Sequence, residues 1–227
     1  MSSLGLMYFG KGNHKLGTEI LTFGITAGVS CPGAHECKTI VDENGKLKTF
    51  DETKHKCLAA RMEALRPNVL ASHKKHEQLI QELEFTQLID RFILSINFHG
   101  SLATKFIRWN WSGDYFSTKY RDAVFAVAKE FDHLVHYSYS KSLHLFQGVK
   151  RPENFRLTAS HGGKFQHLLE MYPEDFPRSA QVVKDKDEAE LKGLPVDQDD
   201  SLAYGPIDQH FGLLLKKGTG LKKLVAA

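Results

Sequence analysis

Cysteine is scarce in this 227-residue chain: Cys31, Cys37 and Cys57 are the only three, and all fall in one short stretch. An odd number cannot pair off internally, so a disulfide framework is excluded and a reducing cytoplasm is the expected compartment. Long apolar runs are missing too, with none approaching the roughly 20 residues of a membrane span. Met1-Ser2-Ser3-Leu4-Gly5-Leu6 has neither the charged start nor the apolar core of a signal peptide, and no membrane partner is expected. Charge of one sign is nearly balanced: 30 Lys and Arg against 27 Asp and Glu leave a net charge of +3. Nucleic acid is permitted by this and not indicated, although Lys216, Lys217, Lys222 and Lys223 gather near the end. There is no Walker loop, no Gly-x-Gly-x-x-Gly, no His-Glu-x-x-His and no Gly-x-Ser-x-Gly, which removes the commonest nucleotide, metalloprotease and serine-hydrolase signatures. No internal repeat and no low-complexity tract is present.

What is present suits one domain over residues 1–227, with 41% apolar residues to build a core. Residues 1–17 are rich in glycine and read as an irregular arm. Glu19 to Thr26 alternates and reads as the first strand. Residues 31–57 then form a polar loop in which Asp42-Glu43-Asn44-Gly45-Lys46 predicts a tight hairpin turn. Helical spacing follows from Cys57 to Pro67, over residues 69–83 and over 85–98. Beyond these, strands at Lys105–Trp111, Leu134–Tyr139, Asn154–Ala159, Ala180–Val183 and Phe211–Leu215 alternate with helices at Lys119–Phe131 and Lys164–Met171 and an acidic helical piece. Residues 193–227 supply the last strand and a tail. This alternation implies an α/β fold with a mostly parallel sheet.

Each strand ends in polar residues, Ser112-Gly113-Asp114, Ser140-Lys141-Ser142 and Ser160-His161-Gly162-Gly163, where parallel α/β folds build their sites. Side-chain alternation groups Thr22, Gly24 and Thr26 with Arg108, Asn110, Ser112, His136, Ser138, Ser140, Arg156, Thr158 and Ser160 on one face. The opposite face carries the apolar set from Leu21 through Trp109 and Tyr137 to Ala159. Two architectures follow from that split: an open sheet with one solvated face, or a partial (β/α)6-type barrel, helices outside, whose polar interior holds a ligand. The helical crossovers favour the barrel.

Cys31-Pro32-Gly33-Ala34-x-x-Cys37, Cys57-Leu58-Ala59-Ala60, Trp111 to Phe116, Tyr137 to Ser142, Leu157 to Gly163 and Asp199-Asp200-Ser201-x-Ala203-Tyr204-Gly205 resemble, in order, the phage "gene product eighty-eight" family. The resemblance runs from about residue 17 to 218. The layout is in turn similar to radical S-adenosylmethionine proteins, in which three cysteines after the first strand of a partial barrel hold a [4Fe-4S] cluster that chelates the cofactor. That likeness implies Cys31, Cys37 and Cys57 as cluster ligands, and Ser112, Gly113 and Asp114 at the place that receives the cofactor's amino group. Lys141 beside Ser140 would meet its carboxylate, and Ser160, His161 and Gly162 its ribose. The cysteine spacing is wider here than the compact Cys-x3-Cys-x2-Cys of that superfamily. A phage origin would put the protein in the host cytoplasm.

The chemistry stays open at this point. Three thiolates suit iron–sulfur and zinc alike, and zinc would draw a fourth ligand from His35 or His55. A non-catalytic phage protein, stapled by its metal and binding a host factor, is an alternative to an enzyme. A nucleic-acid-processing protein using His73 and His76 is another. Asp114 has a plainer reading as a helix cap, and the Asp199 and Asp200 pair as a solvated turn. No substrate is identifiable.

Overall fold

Local sequence sets most element boundaries. The computed structural model describes residues 5–12 and 16–215; the lysine group at the C-terminal end lies outside them. The elements are β1 (Gly10–Lys11), β2 (Ile20–Thr22), β3 (Thr39–Val41), β4 (Leu47–Thr49), α1 (Leu58–Leu65), α2 (Pro67–Glu82), α3 (Phe85–His99), β5 (Phe106–Trp109), α4 (Thr118–Glu130), β6 (Val135–Ser140), β7 (Phe155–Ser160), α5 (His167–Met171), β8 (Ser179–Val183), α6 (Lys186–Leu191), α7 (Ser201–Tyr204) and β9 (His210–Leu214). Pro67 opens α2, where its missing N–H is not needed. A capping box of Glu84 and Gln87 starts α3. Ser117 caps α4 by accepting the Tyr120 N–H. The expected hairpin is β3–β4, and its turn closes when Asp42 Oδ1 accepts N–H bonds from Asn44 and Lys46 at 2.9 and 2.8 Å.

Seven strands form one sheet in the order β1-β2-β5-β6-β7-β8-β9. Only β1 is antiparallel; the rest pair in parallel. The parallel strands are neighbours in chain order, so every crossover steps the same way, and right-handed crossovers then put the helices other than α7 on one face. That face carries the main core, in which Phe9, Phe23, Phe92 and Trp109 meet with ring centroids 5.0 to 6.5 Å apart. The glycine-rich arm is more ordered than its composition suggests. Met7 and Phe9 are buried, Met7 N–H donates to Ser95 Oγ, and Tyr8 N–H donates to His76 Nε2, each at 2.9 Å.

The polar strand residues do not share one face. Register pairs Ile107 with His136 and Phe155, and Arg108 with Tyr137 and Arg156. Paired residues point the same way, so His136, Ser138 and Ser140 lie on the helix-covered side, while Tyr137 and Tyr139 lie with Arg108, Arg156 and Thr158. The expected convergence of Arg108, Asn110, His136, Ser138, Arg156 and Thr158 is therefore corrected. Asn110 departs for its own reason. Phe23 N–H donates to Arg108 O, and Phe23 O accepts from Trp111, three residues on instead of two. Asn110 is the surplus residue of a bulge, at φ 53, and its Oδ1 accepts the Tyr120 hydroxyl at 2.6 Å on the helix side.

A second, smaller core covers the other face, where α7 lies against β6 and β7 and Ile20, Tyr137, Ala180, Ala203 and Phe211 are buried together. Within it Asp200 Oδ2 sits 2.6 Å from Arg108 Nη1 and accepts the Tyr137 hydroxyl at 3.1 Å. Asp200 is 2% exposed and left-handed at φ 68, so the aspartate pair read as a solvated turn is in part an interior anchor. Asp200→Ala leaves Arg108 without this partner. A loss near the low end of the usual range, about 3 kcal/mol, is expected by urea unfolding, because 21% of the Arg108 side chain still reaches water. An unchanged unfolding midpoint would contradict the anchor.

Two buried histidines make stability depend on pH. His76 Nε2 accepts the Tyr8 N–H, and its Nδ1 is 2.8 Å from Gly24 O. His136 Nδ1 accepts the Trp109 indole N–H at 3.0 Å. Both imidazoles are neutral in these arrangements, and burial lowers them, to about 4 for His76 and about 3 for His136. The folded values lie below the unfolded 6.5. Their contribution is thus complete above pH 6.5 and is lost as pH falls, because the unfolded chain takes up the protons first. The slope is about 1.4 kcal/mol per pH unit for each histidine. Unfolding in urea at pH 7 and pH 5 tests this: His136→Asn, which keeps an acceptor for the indole, should show a shallower fall than the parent chain, and equal falls would refute a buried neutral His136.

Candidate functional site

The three cysteines are carried by the segment that leaves β2, and that segment is fastened across the ends of β6 and β7. Ala34 bridges Gly163 in antiparallel fashion, Glu36 N–H donates to Gly162 O at 3.0 Å, and Lys164 N–H donates to Gly33 O at 2.9 Å. Gly33 must be glycine, since a Cβ there would stand 2.2 Å from Lys141 O. Within the loop, Lys38 Nζ donates to Gly28 O at 2.6 Å and Cys31 O at 3.2 Å, and Gly28 N–H points at Cys31 Sγ at 3.3 Å. Cys57 then opens α1, its N–H donating to Thr39 Oγ1 at 3.0 Å.

All three cysteines are free and half-buried. Burial first, then Asp114, Cys57 and Cys37 push the Cys31 thiol up, while burial and then Cys37 raise Cys57 to about 11. At neutral pH Cys31 and Cys57 therefore stay protonated and slow to react. Among the described residues no group of three or more His, Cys, Asp and Glu side chains is close enough to hold a metal ion. Sulfur is the donor type that a soft, thiolate-preferring metal or cluster takes, and such a centre would require the loop to draw the three sulfurs together. His55 N–H donates to Glu36 O at 3.1 Å, and burial and then Lys141 lower its imidazole.

Asp114 is buried and fully engaged. Its Oδ1 accepts from Ser140 Oγ and Tyr115 N, each at 2.7 Å, and its Oδ2 accepts from Lys141 N at 2.8 Å and Ser142 N at 3.1 Å. These four donors occupy the four lone-pair sites of a carboxylate. Burial still pushes its pKa up against their pull. Asp114 therefore ties the end of β5 to the end of β6, and the helix cap is Ser117 instead. Gly113, at φ 78, packs where a Cβ would lie 2.3 Å from Ile25 Cγ1. Lys141 reaches the next strand, its Nζ donating to Ser160 Oγ at 2.9 Å and to His161 O. His161 Nε2 contacts Ser179 Oγ at 2.9 Å, which contacts His210 Nδ1 at 2.8 Å. Gly162 N–H donates to Gln166 Oε1 at 2.7 Å.

Ser112 leads to a residue that sequence reasoning missed. Its hydroxyl donates to Glu63 Oε1 at 2.8 Å, and Glu63, 0% exposed, also takes the Ala27 N–H on both oxygens at 3.0 and 3.2 Å and meets His73 Nδ1 at 2.6 Å. One carboxylate thus joins α1, the start of the cysteine loop, the end of β5 and α2. His73 and His76, considered as a nuclease pair, are both buried: His73 on Glu63 and His76 against Phe23. Gly24 makes room for His73 and Trp111, since a Cβ there would lie 2.8 Å from both His73 Nε2 and Trp111 Nε1. The signal for Glu63 was present but small: a lone acid three residues after Ala60 on the buried side of α1.

The family model described as Gene product 88 matches residues 7–226. No curated protein and no solved structure matches the chain.

Glu63→Ala strands the Ala27 N–H, the Ser112 hydroxyl and His73 in the interior. A loss of about 2–4 kcal/mol is expected, together with faster reaction of Cys31 and Cys57 with a thiol reagent in the folded protein. Wild-type unfolding and labelling rates in that variant would show that Glu63 does not hold the loop.

Proposed function

The chain belongs to the Gene product 88 family, and from that premise we propose that it is an iron–sulfur protein resembling radical S-adenosylmethionine enzymes, with an unidentified substrate. One observation carries the reading: the cysteine loop is fastened over the C-terminal ends of parallel strands, beside Asp114, Lys141 and Ser160. Parallel strands adjacent in chain order, β2 and β5 to β9, support the partial (β/α)6-type barrel that such a protein needs. Cys31, Cys37 and Cys57 would be the ligands of a [4Fe-4S] cluster, leaving one iron open. Such a cluster would supply the one electron that breaks the C5′–S bond of bound S-adenosylmethionine, giving methionine and a 5′-deoxyadenosyl radical that becomes 5′-deoxyadenosine by taking a hydrogen atom from a substrate or, in its absence, from the medium.

The chain's own residues supply position and charge. Lys141 uses two of its three ammonium donors on Ser160 and His161, which aims the third at an incoming carboxylate, a charge-assisted contact. Asp114 acts through others: with its lone pairs committed to Ser140, Lys141 and Ser142, it orients the backbone that a ligand's amino group would meet. Ser160 offers its hydroxyl to a ligand, whereas the Gly162 backbone is committed to Gln166 and Glu36 and holds the loop in place.

Incubating anaerobically reconstituted protein with dithionite and S-adenosylmethionine tests the reading, with 5′-deoxyadenosine and methionine as the expected products. Lys141→Ala should weaken cofactor binding about tenfold while leaving iron content unchanged. An intact cluster that neither binds nor cleaves the cofactor would leave a structural cluster as the answer, and zinc in place of iron would leave a zinc protein.

A further inference from the structure

At the opposite end of the sheet from the cysteines lies a cavity of about 420 Å³ at the start of β7, walled by Val149, Pro152, Phe155, Leu157, Pro177 and Pro206. Lys150, Arg151 and Arg156 also line it, with Glu153 and Asp208 as the carboxylates. Its volume is that of a small-molecule site, which is typically about 300–1,000 Å³. A neighbouring cavity of about 680 Å³ shares Lys150, Arg151 and Glu153 and extends to Lys129 and Asp132.

The two guanidiniums are under-used. Arg156 donates to Glu153 O, and Arg151 makes no hydrogen bond or ion pair with the described residues although it is half-buried. Charges taken from water are ordinarily paired. Burial lowers the Arg151 pKa against the distant pull of Asp175 and Asp208. The nearest buried cation worsens the crowding. Arg178, 1% exposed, feels both Arg151 and Arg156 as like charges. Arg178 is itself committed: its donors go to Ala203 O at 2.5 Å, Gly205 O at 2.6 Å, Ile207 O at 2.9 Å and Asp208 at 3.2 Å. Asp208 is thus spent on Arg178 and half in solvent, and it cannot also neutralise the pair.

We propose that this cavity binds a small phosphorylated molecule, with Arg151 and Arg156 gripping its phosphoryl group and Lys150 adding charge. Planar guanidiniums offer paired N–H donors that match phosphate oxygens. A phosphate ester is preferred to a single carboxylate because it brings about two negative charges and three acceptor oxygens to two forks and an ammonium. Glu153 on the rim suits hydroxyl or amino donors on the rest of the ligand. The site is independent of the cysteine centre, so it stands or falls separately.

Calorimetric titration of the full chain in phosphate-free buffer with inorganic pyrophosphate, and in parallel with a short oligothymidylate, tests this. Saturable pyrophosphate binding is expected, weakened about tenfold or more in Arg151→Ala and in Arg156→Ala and unchanged in Lys129→Ala. Because Arg151 bonds none of the described residues and Arg156 only the Glu153 carbonyl three residues away, both variants should fold with melting temperatures close to wild type before ligand is added. Absence of pyrophosphate binding, or equal loss in Lys129→Ala, would overturn the proposal. Oligothymidylate binding that outcompetes pyrophosphate would overturn it in favour of a nucleic-acid groove.

Discussion

The buried carboxylate of Glu63 is the constraint on which the upper half of the molecule depends. A carboxylate withdrawn from water is costly unless its lone pairs are filled, and here they are filled from three segments outside its own helix. Ala27 fixes where the cysteine loop leaves β2, Ser112 fixes the end of β5, His73 fixes α2, and α1 carries Cys57 at its start. Asp114 repeats the device one strand over, tying β5 to β6 and the turn that follows. Loop and strand ends are thereby held as one unit, with Gly33 and Gly163 as the points of closest approach. The same economy operates below, where Arg178 gathers carbonyls from the end of α7 and the segment after it.

Much of this architecture is legible in the residues, because strands and helices here follow apolar spacing and cap chemistry that act locally. The strands from Phe106 to Leu214 and the hairpin at Asp42 follow the expected positions within a residue or two at most ends. Facing is less legible. Alternation along one strand says that two faces exist and not which one meets a neighbour's. Tyr137 and Tyr139 look apolar but carry hydroxyls that reach Asp200 and Asp197 across the second face. His136 and Ser138 look polar but are absorbed by Trp109, through its indole N–H and its carbonyl. The bulge at Asn110 adds a shift that no periodicity contains.

The candidate site was legible in part for a similar reason. Polar residues after apolar strands mark the strand ends, and the cysteines mark themselves by clustering. The roles are set by partners that sequence does not reveal: Asp114 spends its acceptors on backbone N–H groups and the Ser140 hydroxyl, Lys141 spends two donors on the adjoining strand, and Glu63 gathers donors from three other segments. Family membership fixes the lineage and leaves the chemistry to the geometry. The two regions proposed to bind ligands, the thiols over the strand ends and the guanidiniums at the start of β7, lie at opposite ends of one sheet.

The central claim is that the three thiols hold an iron–sulfur cluster. Protein isolated without oxygen should be brown and contain about four iron and four sulfide per chain, the content of one [4Fe-4S] cluster, with metal lost on replacing any one of Cys31, Cys37 or Cys57 by alanine. Colourless protein without iron, or iron content unchanged in all three variants, would contradict it.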